Sequence, residues 1–318
     1  MRSLVGLILG ITLLAGCAGE TSPARAPAPP GTLRIATATR AGVYYPLGQA
    51  MSVLWKERLE ALSPAVLLTA GSPENIRLLM EGEAEVAFAQ SGVVYATVNR
   101  ADAKGVRSTL RGLTHLYPNV IQVLVRRDSG IRGPQDLRGK RFAPGKEGSA
   151  TLINSQEWLA LYGLTLEEMT VLDLGYDEAA KAVLEGRADA ALIAGGIPTL
   201  AVEEMLASGQ VEMLPLDATM VVQRYPWYTP FTVPRGSYKG LTEDVRTVAV
   251  ANILIVRDDM PEQLAYDLVR SLYEGREELH RAHPAADLKV EQALQGITGV
   301  VPLHPGAARY LQQAGILP

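Results

Sequence analysis

Two hydrophobic rhythms alternate along this chain. Short apolar runs predict strands at 33–37, 66–69, 85–89, 141–143, 169–172, 190–194 and 211–214. Helical spacing predicts helices over 45–62, 72–80, 149–162 and 177–184, with a further helix between the strands at 190–194 and 211–214. Pro46 suits the first turn of the first of these helices. Ser72-Pro73-Glu74 places an N-cap serine and an N1 proline at the start of the second. Strands and helices that alternate in this way predict an α/β fold, with largely parallel sheets covered on both faces.

Within this pattern one segment occurs twice. Glu81-Gly-Glu-Ala-Glu-Val-Ala-Phe-Ala-Gln-Ser-Gly92 returns as Glu185-Gly-Arg-Ala-Asp-Ala-Ala-Leu-Ile-Ala-Gly-Gly196. Each copy follows a helix, turns at Glu-Gly, runs through a strand and ends on small or polar residues ahead of another helix. Two such units imply two similar lobes whose strand ends face a shared ligand. A second echo joins Gln122-Val-Leu-Val-Arg-Arg-Asp128 to Ile253-Leu-Ile-Val-Arg-Asp-Asp259. These segments read as paired crossover strands. They predict a discontinuous lobe one (32–123 and 255–318) and a lobe two (124–254), joined by a two-strand hinge that permits closure. A rigid single sheet is the alternative.

The N-terminus adds a compartment. Arg2 and the apolar stretch 4–14 have the form of a signal peptide, too short to span a bilayer comfortably. Leu14-Ala15-Gly16-Cys17 matches a bacterial lipobox, and Cys17 is the chain's single cysteine. The reading is a leader over 1–16, lipid on Cys17 and a Pro/Ala-rich tether over 17–31. The expected protein is lipid-anchored, extracytoplasmic (periplasmic) and otherwise soluble. At 318 residues the chain is long enough for two domains. Its net charge of −4 and lack of a basic stripe argue against nucleic acid as a partner.

Catalytic constellations are thin. The four histidines, His115, His280, His283 and His304, lack acidic or cysteine neighbours at metal-binding spacing, so no metal is expected. Ser91 is not in a nucleophile elbow, and neither a phosphate-binding loop nor a dinucleotide fingerprint is present, so no cofactor and no enzyme activity are expected. Five loops of small polar residues open helices instead: 37–46, 71–75, 90–92, 146–151 and 194–196. Helix N-termini carry unpaired N–H groups and partial positive charge, so several of them converging favour an anion.

Several motifs together resemble the TAXI family, the solute receptors of one class of tripartite ATP-independent periplasmic (TRAP) transporters. They are Gly42-Val-Tyr-Tyr-Pro-Leu-Gly48, Glu81-Gly-Glu-Ala-Glu with Gln90-Ser91, His115-Leu-Tyr-Pro118, Asp136-Leu-Arg-Gly-Lys140, Tyr225-Pro-Trp-Tyr228 and Leu303-His-Pro-Gly-Ala307. The resemblance covers 32–318. It implies a two-lobed, type II-like periplasmic binding protein fold that closes on a small organic anion, typically an acidic amino acid such as glutamate or a di- or oxo-carboxylate. It also implies delivery to TRAP permease subunits in the membrane, with the receptor acting as a monomer. The contacts it implies are Tyr44, Tyr45, Ser72, Asn75, Gln90 and Ser91 from lobe one, with Ser149, Thr151, Gly195 and Gly196 from lobe two. Tyr225 and Trp227 are expected to pack, and Tyr228 to reach the ligand.

The chain departs from the family pattern at two places. A glycine-rich first loop becomes Thr37-Ala-Thr-Arg40-Ala-Gly42, and a usual Gln-Ser-Asp becomes Gln90-Ser91-Gly92. A cation is gained and an acid lost, so Arg40 joins the candidate contacts and a dicarboxylate or oxo-dicarboxylate is expected over a neutral amino acid. Two other readings stay open. One is a receptor for an ATP-driven transporter or a sensor kinase, and the other is an extracytoplasmic small-molecule enzyme on the same fold.

Overall fold

The computed structural model describes residues 31–318. The leader at 1–16, Cys17 and all but the last residue of the tether lie outside the described residues. The chain begins with β1 (Thr32–Ala36), α1 (Tyr44–Arg58), β2 (Ser63–Leu67), α2 (Ser72–Met80), β3 (Val86–Gln90) and α3 (Ser91–Ala103). A long strand, β4 (Leu110–Arg126), leads to β5 (Arg141–Ala143), α4 (Ala150–Ala160), β6 (Thr170–Val171), α5 (Tyr176–Leu184) and β7 (Ala190–Gly195). Next come α6 (Leu200–Ala207), β8 (Val211–Leu214), α7 (Ala218–Arg224) and β9 (Tyr228–Val233). A second long strand, β10 (Val245–Arg257), precedes α8 (Glu262–Glu274), α9 (Arg276–Ala282) and α10 (Pro305–Gln313). Among the described residues no helix is long and apolar enough to cross a membrane.

The strands form one mixed sheet in the order β2-β1-β3-β10-β4-β7-β5-β6, with β8 on β4 and β9 on β10. The fold is α/β, and the two parallel sheets expected from the repeat are its two ends. β2, β1 and β3 are parallel at one end, and β6, β5 and β7 at the other. The antiparallel pair β4 and β10 joins them because each strand is long enough to serve both ends. β10 pairs with β9 from Val245 to Val250 and with β3 from Asn252 to Ile255. β4 meets β7 only from Val120 onwards.

Both ends are covered on both faces, which is why their strands are nearly continuously apolar. Alternation sorts β3 cleanly. Val86 and Phe88 enter a core with Leu47, Met51 and Trp55 of α1, while Ala87 and Ala89 meet Ile76 and Leu79 of α2. In β7, Ala191 and Ile193 face α5 and α6, and Leu192 and Ala194 face Trp158 of α4. Trp55 is fully buried, and its indole N–H donates to the Leu268 carbonyl at 3.2 Å.

The end of α1, the start of β2 and the cap of α2 differ from the sequence expectation, and other boundaries shift by a residue or two. α1 stops at Arg58 because Ser63 onwards is drawn into β2, in register with Thr32 of β1. Pro64 is tolerated there because β2 is the sheet edge. Gly71, not Ser72, caps α2. Its φ of 123° and ψ of −154° lie in a region that glycine alone adopts readily, and Ser72 becomes the first helical residue.

The repeat is built the same way twice. Glu81 and Glu185 are the C-caps of α2 and α5, and Gly82 and Gly186 reverse the chain at φ 70° and 71°. A first-strand arginine grips each turn. Arg34 donates to the Gly82 carbonyl at 2.6 Å and pairs with Glu85 at 2.5 Å; Arg141 donates to Gly186 at 2.7 Å and pairs with Asp189 at 2.5 Å. A long-strand arginine grips the preceding helix end. Arg257 donates to the Leu79 carbonyl and Arg126 to that of Val183, each at 3.0 Å. The Arg141 guanidinium holds the Asp189 carboxyl below the ordinary carboxylate range.

A methyl group at either turn glycine would force an L-residue into the left-handed region. Gly82→Ala and Gly186→Ala are each expected to cost about 1–2 kcal/mol, seen as a lower urea midpoint. Gly133→Ala, extended at φ −165° with open space around it, is expected to change stability by less than about 0.5 kcal/mol.

Candidate functional site

Parallel strands followed by helices direct several helix N-termini towards one place. The loops after β1, β2 and β5, the residues leading into α5 and the ends of β3 and β7 together enclose a half-closed cavity between the two ends of the sheet. Residues opening α1 (Val43, Tyr44), α2 (Gly71, Ser72), α4 (Ser149, Ala150, Thr151) and α5 (Gly175, Tyr176) line it. Gln90 lines it too, at the end of β3 just ahead of α3. Unpaired N–H groups and helix dipoles thus add positive potential from several directions.

The hydroxyl groups have defined proton directions. Tyr44 donates to Asn252 Oδ1, so the proton between Tyr44 and Ser72, 3.4 Å apart, comes from Ser72. Ser72 in turn accepts from the Gln90 backbone N–H at 3.1 Å. Tyr176 donates to the Ala194 carbonyl at 2.6 Å, so Thr151 donates to Tyr176 across 2.8 Å. Ser149 caps α4 by accepting from the Leu152 N–H at 3.1 Å, and its own proton stays available. Burial pushes the Tyr44, Tyr117 and Tyr176 phenols up, so all three are neutral.

Gln90 is only 2% exposed, and its Oε1 has no hydrogen-bond partner among the described residues. Lys146, at the exposed rim, is the only charged side chain among the described lining residues. Its ammonium makes no ion pair among the described residues. An outer groove shares Thr39, Ala70 and Lys146 with the cavity and continues to Arg40 and Glu74.

Of the residues expected from the sequence, Tyr44, Ser72, Gln90, Ser149, Thr151 and Gly195 come together on the cavity wall. The others lie elsewhere. Arg40 sits in the outer groove, 4.8 Å from the Tyr45 ring centroid, and donates to the Tyr45 hydroxyl at 2.9 Å. Tyr45 also accepts from Gln49, one turn along α1, at 2.9 Å. Asn75 is fully buried beneath the loops, donating to the carbonyls of Thr37 and Phe88 and accepting from Thr69. It holds the ends of β1 and β3 together behind the cavity wall.

Ser91 is buried at the start of α3, closely approached by Gly296. Gly196 packs against Tyr117 and Ala285. Tyr228 is buried beside α4, donating to Glu157 at 2.6 Å and accepting from Asn154 at 2.7 Å. Burial keeps the Glu157 carboxyl above its ordinary range. Gly92, singled out as a lost acid, also lies off the cavity. A Cβ there would stand 2.5 Å from the Trp227 indole, so the glycine admits that ring. Tyr95 of α3 packs against the same indole, with ring centroids 5.3 Å apart.

Tyr117, Asn119, Lys146 and Tyr176 were not among the expected contacts. Tyr117 and Asn119 project from β4 where it passes between the two ends of the sheet. Their signal was present in Tyr117-Pro-Asn119, a proline and a polar residue interrupting a strand otherwise fit for burial. No metal-binding cluster exists among the described residues.

Residues 35–315 match the NMT1-like family, and the chain belongs to it. Among solved structures, a protein of Bordetella bronchiseptica RB50 is 18% identical, with 89% of this chain and 82% of that one aligned at a TM-score of 0.54. A Xanthomonas citri protein, solved bound to ATP, is 15% identical over 90% of this chain and 97% of that one, with a TM-score of 0.52. The alkanesulfonate-binding protein SsuA of Xanthomonas axonopodis pv. citri, bound to MOPS, is 19% identical over 92% and 82% respectively, with a TM-score of 0.49. The first two likenesses agree with the mixed α/β sheet and flanking helices described above.

Burial of His115 lowers its pKa from 6.5 to about 4. Between these values the unfolded chain takes up a proton that the folded chain refuses. Stability is therefore expected to fall as pH drops from about 6.5 towards 4, and urea titrations of His115→Gln are expected to show a flatter slope in that window.

Proposed function

We propose that this protein is the extracytoplasmic solute-binding receptor of a TRAP transporter of the TAXI type. It captures a small carboxylate in the cavity and delivers it to the membrane permease. The observation that carries this reading is the convergence of four helix N-termini, from both ends of the sheet, on one cavity without an acidic side chain among its described lining residues. A carboxylate there would receive backbone N–H groups, the Ser149 hydroxyl and the Lys146 ammonium. The candidate ligands are a dicarboxylate, an oxo-dicarboxylate or an acidic amino acid such as glutamate. The role is binding without turnover, by a monomer held to the membrane through lipid on Cys17.

On this reading the two ends of the sheet are two lobes, near 32–123 with 255–318 and 124–254. The hinge we propose lies a few residues inward of those bounds, at Pro118 and Asn119 of β4 opposite Val250 and Ala251 of β10, a choice supported by the change of pairing partners there. Rotation there opens and closes the cavity, because each lobe contributes helix N-termini to it.

A thermal-shift screen against small carboxylates and amino acids tests the reading. A ligand at about a hundred times its Kd stabilises the folded state by about 2.7 kcal/mol and raises Tm. A screen without any shift would count against the receptor role. For a ligand found in this way, Lys146→Ala is expected to weaken binding about tenfold by calorimetry, through loss of a charge-assisted hydrogen bond. Arg40→Ala, outside the cavity and engaged with Tyr45, is expected to change Kd less than about twofold.

A further inference from the structure

The donors and acceptors around the cavity divide the candidate ligands further. The formal charge and the free hydroxyl donor there are positive: Lys146 at the rim and the free proton of Ser149, added to the helix N-termini. The oxygens of Tyr44 and Tyr176 are already engaged, because Tyr44 receives from Ser72 and Tyr176 from Thr151. No carboxylate lines the cavity among the described residues. An α-ammonium group would therefore add a positive charge to an electropositive, partly desolvated site with no counter-ion to meet it.

The remaining polar groups suit a neutral substituent. Gln90 reaches the cavity from β3, buried and with Oε1 unpartnered among the described residues. Asn119 reaches it from the crossing strand, 5% exposed. A carboxamide offers a donor on one side and an acceptor on the other, so it matches a carbonyl oxygen or a hydroxyl with equal ease. Neither amide replaces a carboxylate opposite an ammonium.

We infer that the cavity takes a small oxo- or hydroxy-carboxylate and discriminates against the α-amino acid of the same carbon skeleton, with Gln90 and Asn119 reading the substituent. This rests on the proposed receptor role and narrows its ligand class. Calorimetry on the purified protein with matched pairs tests it: 2-oxoglutarate against L-glutamate, oxaloacetate against L-aspartate, and pyruvate against L-alanine, with L-malate as the hydroxy acid. The expected result is an oxo or hydroxy acid that binds at least about a hundredfold tighter than its amino partner.

An amino acid that binds as tightly as its partner, or more tightly, overturns the inference and leaves the receptor role standing. Failure of every compound to bind, with no thermal shift, overturns both. Asn119→Asp places a carboxylate in the wall at nearly constant volume. With its thermal unfolding still cooperative, this variant is expected to narrow the oxo-to-amino gap about tenfold. A folded variant with an unchanged gap overturns the assignment of that gap to the missing carboxylate.

Discussion

The pairing of two long antiparallel strands, β4 and β10, is the constraint on which the rest of this structure depends. Each strand contributes hydrogen bonds to both ends of the sheet, so neither end is complete without the other. The parallel strands that flank them point their C-terminal ends at the crossing. The helices that follow must therefore begin there, and the cavity is a consequence of that polarity. Tyr117 and Asn119 line it because the strand that ties the two ends together passes through it.

The duplicated Glu-Gly segment shows how one local solution serves two environments. At the turn the copies are interchangeable: a left-handed glycine, a first-strand arginine on its carbonyl and a long-strand arginine on the helix end. At the cavity they diverge. β3 ends in Gln90, a side chain that can bond a ligand, and β7 ends in Gly195, where a Cβ would strike the Thr199 hydroxyl at 2.5 Å. The turns hold the frame, and the strand ends differ where they meet the cavity.

Much of this was legible in the chain. The strand and helix alternation, both copies of the repeat and the paired Val-Arg-x-Asp strands correspond to elements of the sheet because burial on both faces imposes a periodicity that sequence records. Six of the expected contacts share the cavity wall for a related reason: helix-opening residues after parallel strands all lie at the same end. Asn75, Ser91 and Tyr228 sit in equally polar stretches, yet their hydrogen bonds or packing turn them inward. Polarity in a loop marks a group that needs a partner. It does not say whether that partner is the protein or a ligand.

Local periodicity, capping residues and the repeat are properties of neighbouring residues, and the sequence by itself determined them: an α/β chain of two similar halves whose helices open where parallel strands end. Which side chains form the cavity was decided by contacts between residues a hundred or more positions apart. Tyr44 on the cavity wall donates to Asn252 of β10, and Gly92 makes room for Trp227. Such contacts depend on the register of β4 against β10, a long-range quantity that no window of the sequence contains.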